Sequence, residues 1–303
     1  MTENMERIKA DWIAVDWGTS NMRAWAMRSS GTILAEDRSD LGMGKLTPEG
    51  FEPALLGVID AWIDGPTTVV ACGMVGSRQG WTEAPYATVP CPALPDGFAT
   101  APTKKDGLTV RIIPGIKQDA PADVMRGEET QIAGYLARNP NWDGVICLPG
   151  THTKWVHVSA GEIVSFQTFM TGELFATIST HTVLRHSIPA EGWDEAAFLE
   201  GLSDAVARPE RIGARLFSLR AEGLVNGMSG DTARARLSGL LIGTELAAAK
   251  PYWLGQQIAV IGAGNIARLY VDALATLSAP ATQVKADAIT IAGLTAAYGR
   301  LKG

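Results

Sequence analysis

The sequence predicts an α/β protein of two lobes, and three observations support this fold class. Strand-like and helical segments alternate along most of the chain. Two short turns rich in small and hydroxylated residues, the first turn (16–23) and the second turn (148–154), each lie between two strand-like segments. A length of 303 residues is enough for two cores. We place the lobe boundary near 115–121 and predict an amino-terminal lobe of residues 1–117 and a carboxyl-terminal lobe of 118–287.

The composition is that of an ordinary globular protein, with 46% hydrophobic and 19% charged residues. A formal net charge of −6 argues against a surface for nucleic acid or anionic membranes. The cysteines Cys72, Cys91 and Cys147 form no C-x-x-C pair, which favours buried thiols in a reducing compartment. Residues 1–7 lack the apolar core of a signal peptide, and no apolar run approaches membrane-spanning length. We therefore expect a cytoplasmic protein.

In the first half, the pattern predicts an antiparallel meander followed by a helix and a further strand. Short apolar and β-branched runs indicate the strands, and apolar residues at helical spacing indicate the helix. Recurring prolines between Pro85 and Pro121 predict loops and edge strands up to the lobe boundary. The predicted elements are strands 12–16, 21–27 and 32–38, helix 51–62 and strand 68–72.

The second half repeats this outline and adds helices. Asp231 is the predicted N-cap of the longest of them. The last helix is expected to be able to pack back on the amino-terminal lobe through residues 288–303. The predicted elements are helix 124–138, strands 144–148, 153–158 and 162–169, helices 172–184, 193–207, 212–222 and 231–249, strand 257–261, and helices 266–277 and 287–301.

The first turn has the residue types that a nucleotide phosphate and its metal require. Gly18 has no Cβ, so backbone N–H groups can approach phosphate oxygens, and the hydroxyls of Thr19 and Ser20 add donors. Asp16, at the end of the strand, would share a magnesium ion with the phosphates. Arg23 either stays near these groups or packs along its strand. An ordinary β-turn uses the same residue types, so this motif alone leaves both interpretations open.

The second turn repeats this composition with Gly150, Thr151 and His152. Two such turns, one at the start of each lobe, are much less expected by chance than one. His152 has no partner at metal-ligand spacing, so we expect it to hydrogen-bond around a phosphate. Lys154 would either offset phosphate charge or face solvent. Glu173 would either orient a magnesium-bound water or cap the next helix, and both alternatives stay open.

A third motif, the glycine turn (262–265), lies between a strand and a helix. Gly262, Gly264 and Asn265 would let a nucleoside lie against the backbone at the helix entrance, although a tight packing turn has the same form. The segment also fits the G-x-G-x-x-A fingerprint of nicotinamide-dependent oxidoreductases. About 20 positions on, that fingerprint requires an acidic residue, and residues 281–283 supply none. An NAD-dependent oxidoreductase is therefore the less favoured alternative.

The order of these parts resembles the sugar kinase, Hsp70 and actin superfamily over nearly the whole chain. More narrowly, the chain resembles the 2-keto-3-deoxygalactonate kinase (2-dehydro-3-deoxygalactonokinase) family. The segments that carry this resemblance are 16–25, 73–77, 124–131, 149–155, 170–174 and 238–243.

The resemblance implies a ribonuclease H-like (actin-like ATPase) fold with a central nucleotide cleft, across which the first and second turns face each other. It implies ATP-dependent phosphorylation of the C6 hydroxyl of 2-dehydro-3-deoxy-D-galactonate in galactonate catabolism, with ATP and Mg²⁺ as cofactors. A regulatory relative that binds nucleotide without catalysis is the alternative from a different functional class.

The resemblance also indicates where to look for the general base. Related sugar kinases have an acidic residue at the start of the first helix of the second lobe, just before the second turn. Glu128 is our first candidate for this role and Glu129 our second. The wider superfamily commonly has an aspartate there, so the choice between the two glutamates stays open. Alternatively, both simply stabilise a helix amino terminus.

A keto-acid substrate carries a carboxylate, which a planar guanidinium can bind in a bidentate manner. Arg126, beside the candidate bases, is the leading candidate, and Arg78 is the second. Trp81 and Tyr86 are candidate walls of the same site. The sequence does not decide between galactonate and gluconate derivatives as substrate. It does not fix the oligomeric state either, and a homodimer is left open.

Overall fold

The computed structural model describes residues 8–303, which divide into two compact units. Unit 1 contains the chain up to Trp142 together with Ser159–Ser165 and Ala286–Gly303, and unit 2 contains Asp143–Val158 and Phe166–Lys285. Residues 1–7, on which the expectation of no signal peptide rests, lie outside the described residues. Within residues 8–303, no helix combines the length and the apolar character needed to cross a membrane.

The first part of unit 1 is a mixed sheet with a helix on it and a smaller sheet beside it. The elements up to Trp142 are β1 (Trp12–Trp17), β2 (Met22–Met27), β3 (Ile33–Ser39), α1 (Phe51–Ile59), β4 (Thr67–Cys72), β5 (Tyr86–Thr88), β6 (Cys91–Pro92), β7 (Ala99–Ala101), β8 (Leu108–Ile112), β9 (Gly115–Asp119), β10 (Ala122–Met125) and α2 (Glu128–Arg138). The main sheet has the order β3-β2-β1-β4-β8-β7, and the smaller sheet has the order β10-β9-β5.

One strand of this sheet corrects the sequence prediction. The proline-rich stretch was expected to hold only loops and edge strands, yet β8 lies inside the main sheet and pairs in parallel with β4. Its side chains Val110 and Ile112 belong to the buried core of unit 1. Pro102 and Pro114 lie outside β8, so every residue of the strand keeps its N–H donor. The strand was not predicted because prolines are frequent in the sequence around it.

Unit 2 is built on a second sheet, which is covered by helices. The remaining elements are β11 (Gly144–Leu148), β12 (Thr153–Ser159), β13 (Glu162–Phe169), α3 (Thr171–His181), α4 (Glu195–Ala207), α5 (Ile212–Val225), α6 (Gly230–Ala248), α7 (Lys250–Trp253), β14 (Ile258–Gly262), α8 (Gly264–Thr276), β15 (Ala281–Lys285) and, in unit 1, α9 (Ala286–Lys302). The strand order of this sheet is β15-β14-β11-β12-β13. The tip of the β12–β13 hairpin belongs to unit 1, where Glu162 and Ile163 pair with β6.

The two main sheets share one strand order. Three strands form an antiparallel meander, β1–β2–β3 in unit 1 and β11–β12–β13 in unit 2, and two further strands continue each sheet in parallel to its first strand. This is the ribonuclease H-like topology, so the predicted fold class is confirmed. The strand β15 was not predicted, because its exposed polar residues, such as Thr282 and Gln283, give no apolar run.

The start of α2 also differs from the prediction of one helix over 124–138. Residues Ala122–Met125 form β10, and α2 begins only at Glu128. Between them, Gly127 adopts a positive φ of 112°, a conformation that other residues rarely take. A Cβ at Gly127 would approach the Cα of Gly73 at 3.3 Å. The chain therefore turns sharply here and brings the helix start against the end of β4.

The predicted domain boundary differs from the observed division as well. Residues 118–142, which the sequence assigned to the second lobe, group with unit 1. The reason is that α2 packs on α9 with almost no space between their backbones. A Cβ at Gly293 would lie 1.9 Å from the carbonyl oxygen of Thr130, and one at Gly134 would lie 2.0 Å from that of Ile289. The helix α9 also stacks Tyr298 on Trp12 of β1.

Because of this backbone contact, we expect Gly293→Ala to lower the free energy of unfolding by about 3 kcal/mol, through separation of α2 and α9. Gly299→Ala, on the same helix, is the matched control, because a Cβ there would meet nothing within 4 Å. That variant should be neutral or slightly stabilising. Urea unfolding of the two variants measures the difference, and an equal midpoint for both would contradict the close packing.

The cap of α6 is a further correction. Its N-cap is Ser229, whose hydroxyl accepts a hydrogen bond from the N–H of Thr232 at 3.2 Å. The predicted cap, Asp231, is the second residue of the helix. Serine and aspartate are both good N-caps, so the sequence pattern does not distinguish two candidates two residues apart.

Candidate functional site

The first turn joins β1 to β2 in unit 1. The N–H of Gly18 donates to the carbonyl of Asn21 at 3.0 Å, which closes the turn. The segment after β3 packs directly on it, since a Cβ at Gly42 would lie 2.3 Å from the carbonyl oxygen of Thr19. Thr19 and Ser20 are exposed, so their hydroxyls are available to a ligand.

Asp16 is the fifth residue of β1 and is partly exposed, between the buried residues Val15 and Trp17. Its Oδ2 accepts a hydrogen bond from Nη2 of Arg23 at 2.8 Å, and Nη1 of Arg23 reaches Asp287 at the start of α9 at 2.5 Å. Burial alone would lower the pKa of Arg23, but the hydrogen bonds to Asp16 and Asp287 raise it above its usual value. Arg23 thus holds the carboxylate of Asp16 in place beside the first turn.

A metal ion at this place would have one carboxylate ligand. Within residues 8–303, no group of three or more histidine, cysteine, aspartate or glutamate side chains is arranged to hold a metal. Magnesium often binds through one or two carboxylates and takes its other ligands from phosphate and water. The single carboxylate of Asp16 fits that chemistry, and it does not fit a metal held by protein ligands alone.

The carboxylates of Asp16 and Glu129 both lie near Cys72, at the end of β4. Burial raises the pKa of the Cys72 thiol, and the charges of Asp16 and Glu129 raise it further. The next residue, Gly73, has a positive φ of 93°, and a Cβ there would lie 2.8 Å from the carbonyl oxygen of Trp17. The ends of β1 and β4 and the start of α2 therefore meet in one small region of unit 1.

The two candidate bases at the start of α2 have different surroundings. Glu128 is partly exposed and accepts a hydrogen bond from the N–H of Arg126 at 3.1 Å. Glu129 is 0% exposed and accepts from the N–H of Gly127 at 2.6 Å and from the hydroxyl of Thr130 at 3.2 Å. Burial and, after it, the charge of Glu128 raise the pKa of Glu129 to about 7. The pair thus combines an accessible carboxylate with an enclosed one.

This raised pKa makes stability depend on pH. Since the ordinary pKa is 4.5, the folded chain holds this proton more tightly than the unfolded chain. The stabilisation is complete below pH 4.5 and is lost as the pH rises through 7, by an amount on the order of 3 kcal/mol. Glu129→Gln keeps the acceptor for Gly127 but cannot titrate. We expect urea unfolding at pH 5 and pH 7.5 to show a smaller fall in stability for this variant, and an equal fall would contradict the raised pKa.

Arg126 and Tyr86, two of the predicted substrate residues, lie together. The guanidinium of Arg126 stands over the ring of Tyr86, 4.3 Å from its centroid, and Nη2 donates to the carbonyl of Ala84 at 2.8 Å. Arg126 is 8% exposed, and its buried Nη1 has no hydrogen-bond partner among the described residues. A buried donor without an acceptor is unfavourable, so a carboxylate that reached Nη1 would satisfy it.

The other two predicted substrate residues lie elsewhere. Arg78 is 80% exposed and pairs with Glu83 at 3.7 Å. Trp81 is buried in the core of unit 1, where it stacks on Phe51 at 6.0 Å and meets the edge of Trp17. Its ring belongs to the core of unit 1, so the expectation that it forms a wall beside Arg126 gains no support.

The second turn lies in unit 2 with the start of α3 directly on it. A Cβ at Gly172 would lie 2.3 Å from the carbonyl oxygen of Gly150, and the N–H of Glu173 donates to the carbonyl of Thr151 at 3.0 Å. The close neighbour of Gly172 is thus the backbone of the turn. The positive end of the α3 dipole therefore lies beside Gly150 and Thr151, where an anion would be stabilised.

Two polar side chains near this turn contact groups that the sequence did not predict. The N-cap of α3 is Met170, and Oε2 of Glu173 lies 2.6 Å from Nε2 of His152, in the second turn. Lys154 is 6% exposed and donates to the hydroxyl of Thr168 at 2.7 Å, so its ammonium group is not directed to solvent. His152 keeps its place in the second turn, oriented by the carboxylate of Glu173.

The glycine turn meets the second turn in unit 2. A Cβ at Gly262 would lie 3.4 Å from Cγ of Pro149, and Gly264, with a positive φ of 59°, begins α8. A cavity of about 620 Å³ opens beside both turns and includes Gly150 and Asn265 in its lining.

The rest of the cavity lining comes from three helices and the segment before α4, and it is mainly apolar. Most of these residues were not predicted to contact a ligand, because they are far apart in the chain and form no local motif. The family-like segments 170–174 and 238–243 contain the others. The further lining residues that matter below are Phe175, Trp193, Arg234, Ser238, Leu241, Ile242 and Tyr270.

Comparisons with known proteins give one family. The profile of a family described as 2-keto-3-deoxy-galactonokinase matches residues 16–297. A protein of Rhizobium meliloti (strain 1021), named as a probable 2-dehydro-3-deoxygalactonokinase, is 41% identical over 297 residues, which cover 94% of this chain and 96% of that protein. The 2-dehydro-3-deoxygalactonokinase of Escherichia coli (strain K12) is 34% identical over 288 residues, again 94% of this chain and 96% of the relative.

Solved structures agree with the sequence comparison. A crystal structure from Sinorhizobium meliloti that carries the same family name has a TM-score of 0.90 and 38% sequence identity. The alignment covers 96% of this chain and 99% of that one. The likeness therefore extends over both units.

Proposed function

Because the chain belongs to the 2-keto-3-deoxy-galactonokinase family and is therefore a kinase, we propose that it transfers the γ-phosphoryl group of ATP to the C6 hydroxyl of 2-dehydro-3-deoxy-D-galactonate, with Mg²⁺ as cofactor, in galactonate catabolism. The observation that carries the choice of ATP is the cavity of about 620 Å³ in unit 2, which lies against both the second turn and the glycine turn.

The cavity has the chemistry of a nucleoside site. Its volume and its mainly apolar lining suit a planar base and a ribose. Gly150 of the second turn is part of the lining, so phosphates attached to such a nucleoside would reach the exposed Thr151 and the positive end of α3. Aromatic side chains such as Phe175 and Trp193 offer faces for stacking.

In unit 1, the first turn supplies the groups for the metal and for further phosphate contacts. The exposed hydroxyls of Thr19 and Ser20 and the backbone at Gly18 are donors, and Asp16 would hold magnesium together with water. When bound, the ion neutralises charge on the transferred phosphoryl group. Arg23 keeps the carboxylate of Asp16 oriented beside the turn.

Glu128 is the proposed general base, which would accept the proton of the C6 hydroxyl. A base must come within hydrogen-bond distance of that hydroxyl, and of the two glutamates Glu128 is the one with exposed surface. The higher pKa of Glu129 keeps its carboxyl mostly protonated below neutral pH, so Glu129 is the poorer proton acceptor there. Arg126, with its free Nη1, is the proposed partner of the substrate carboxylate.

One observation bears on the oxidoreductase alternative. The strands β14 and β15 are parallel and joined by α8, so the glycine turn does lie in a β-α-β unit. However, β15 ends in Lys285, and its residues include no carboxylate that could bind the ribose of NAD. Together with the family, this argues that the glycine turn serves the nucleoside of ATP.

Coupled ADP release tests the proposal. The assay would compare 2-dehydro-3-deoxy-D-galactonate with its gluconate epimer and with D-galactonate, at fixed ATP and Mg²⁺, and phosphorus NMR would locate the new phosphate ester. We expect ADP release with the first acid and an ester at C6. Binding of ATP without any acid-dependent ADP release would support the regulatory alternative instead, and an ester at another hydroxyl would contradict the C6 assignment.

A further inference from the structure

Glu245 is a buried acidic residue of unit 2 that has no role in the function proposed above. It lies on α6, is 2% exposed, and its carboxylate accepts hydrogen bonds from three other elements. Nε1 of Trp155 on β12 donates at 2.7 Å, Oη of Tyr270 on α8 donates at 2.7 Å, and the hydroxyl of Thr171 at the start of α3 donates as well. Burial raises the pKa of Glu245, and these donors oppose that shift.

This arrangement is more specific than a core position requires. A buried carboxylate is unfavourable unless its oxygens are well hydrogen-bonded, and apolar residues of similar size often give equal or greater stability. Here the donors come from one strand and two helices, so a single side chain fixes the relative positions of four elements. Such a network indicates that geometry, beyond stability, depends on Glu245.

Both ends of the network lie at the second turn. Thr171 directly precedes Gly172, where a Cβ would lie 2.3 Å from the carbonyl oxygen of Gly150. On the other side, Thr153 directly follows His152, is 0% exposed, and has its hydroxyl 3.1 Å from Oη of Tyr270. Since Tyr270 donates its one proton to Glu245, Thr153 donates to Tyr270. The second turn is thus held on both sides by hydrogen bonds that end at one carboxylate.

We propose that Glu245 is a positioning residue for the phosphates of ATP, which acts through Thr171 and Tyr270 to hold the second turn in its anion-binding form. The inference rests on the proposed function, because it assumes that the cavity beside this turn holds the nucleoside of ATP. Glu245 itself is buried below the cavity, whose lining includes Thr171 and Tyr270. The network is therefore expected to affect phosphate binding more than nucleoside binding.

The test compares the Kd of ATP with the Kd of adenosine in the full chain, by calorimetry with Mg²⁺, for the wild type and Glu245→Gln. Glutamine keeps the size and one acceptor oxygen but turns an amide N–H₂ group towards groups that are themselves donors. We expect the Kd of ATP to rise about tenfold or more and that of adenosine to change less than twofold. In turnover assays, KM for ATP should rise by a similar factor, with KM for the sugar acid within twofold of wild type.

Two matched comparisons separate positioning from a general loss of structure. Thr171→Val removes the donor to Glu245 and should raise the Kd of ATP selectively, whereas Thr171→Ser keeps the donor and should raise that Kd clearly less than Thr171→Val does. This pair decides the question if Glu245→Gln does not fold. Leu202→Ala, in the same core on α4, should lower stability without changing the ratio of the two Kd values.

Two results would overturn the inference and leave the network a purely structural role. One is an equal loss of affinity for ATP and for adenosine, and the other is unchanged ATP affinity in both Glu245→Gln and Thr171→Val. If the wild type binds no ATP, the proposed function itself fails. If the wild type binds ATP and the variants bind it equally well, only the role of Glu245 is lost.

Discussion

Replacing Glu128 by glutamine is expected to lower kcat by about 10² or more while ATP still binds, as is usual when a general base is lost. Transfer of a phosphoryl group depends mainly on positioning and charge neutralisation, but the acceptor hydroxyl must also lose its proton. Glutamine has the shape of glutamate and can still accept the N–H of Arg126 at the start of α2. The helix start should therefore stay intact, and kcat from the ADP-release assay reports the chemistry.

Glu129→Gln is the matched control, one residue further along the same helix start. Because Glu129 is fully enclosed, it cannot contact substrate in this structure, and we expect its loss to lower kcat less than tenfold. Should Glu129→Gln instead lose 10² or more and Glu128→Gln remain near wild type, the base would be Glu129. Its pKa of about 7 would then be the relevant property, because a base that titrates near neutral pH is well matched to its task.

The fold was predictable where local patterns carry it. The meanders β1–β2–β3 and β11–β12–β13 follow from short apolar runs separated by turns, and the parallel strands β4 and β14 are apolar because they are buried on both faces. The strand β8 is concealed among prolines and β15 among exposed polar residues, so neither has a local signal. Residues 118–142 group with unit 1 because they pack on α9, which is far along the chain. No local sequence pattern could predict that contact.

The candidate site shows the same division between local and distant information. The turns at Gly18 and Gly150 were identifiable because each motif is contiguous. Arg78 and Trp81 were candidates only because they lie near the family-like segment 73–77 in the sequence. In the structure, Arg78 is exposed to solvent and Trp81 is buried in the core. Glu245 had no signal at all, because an acidic residue in an apolar helix is only informative once its donors from three other elements are known.

Replacing Asp16 by asparagine should lower kcat/KM by about 10²-fold and raise the Mg²⁺ concentration needed for half-maximal rate. A metal that neutralises phosphate charge contributes several kcal/mol to the transition state, and a factor of ten in rate corresponds to about 1.4 kcal/mol. Asparagine keeps the size of the side chain and one oxygen, but it lacks the charge that holds a hard cation. A titration of the rate with Mg²⁺ at saturating ATP measures both effects.

Asp287→Asn is the control that isolates the metal from the ion pair. Asp287 shares Arg23 with Asp16, but it lies at the start of α9 with 69% of its side chain exposed. Its replacement weakens the same guanidinium contact and leaves the carboxylate of Asp16 in place, so activity and the Mg²⁺ requirement should stay within about threefold of wild type, as a surface pair contributes 1 kcal/mol or less. An unchanged Mg²⁺ requirement in Asp16→Asn would remove Asp16 from the metal site. If Asp16→Asn and Asp287→Asn lower activity equally, the role of Asp16 would be to orient Arg23.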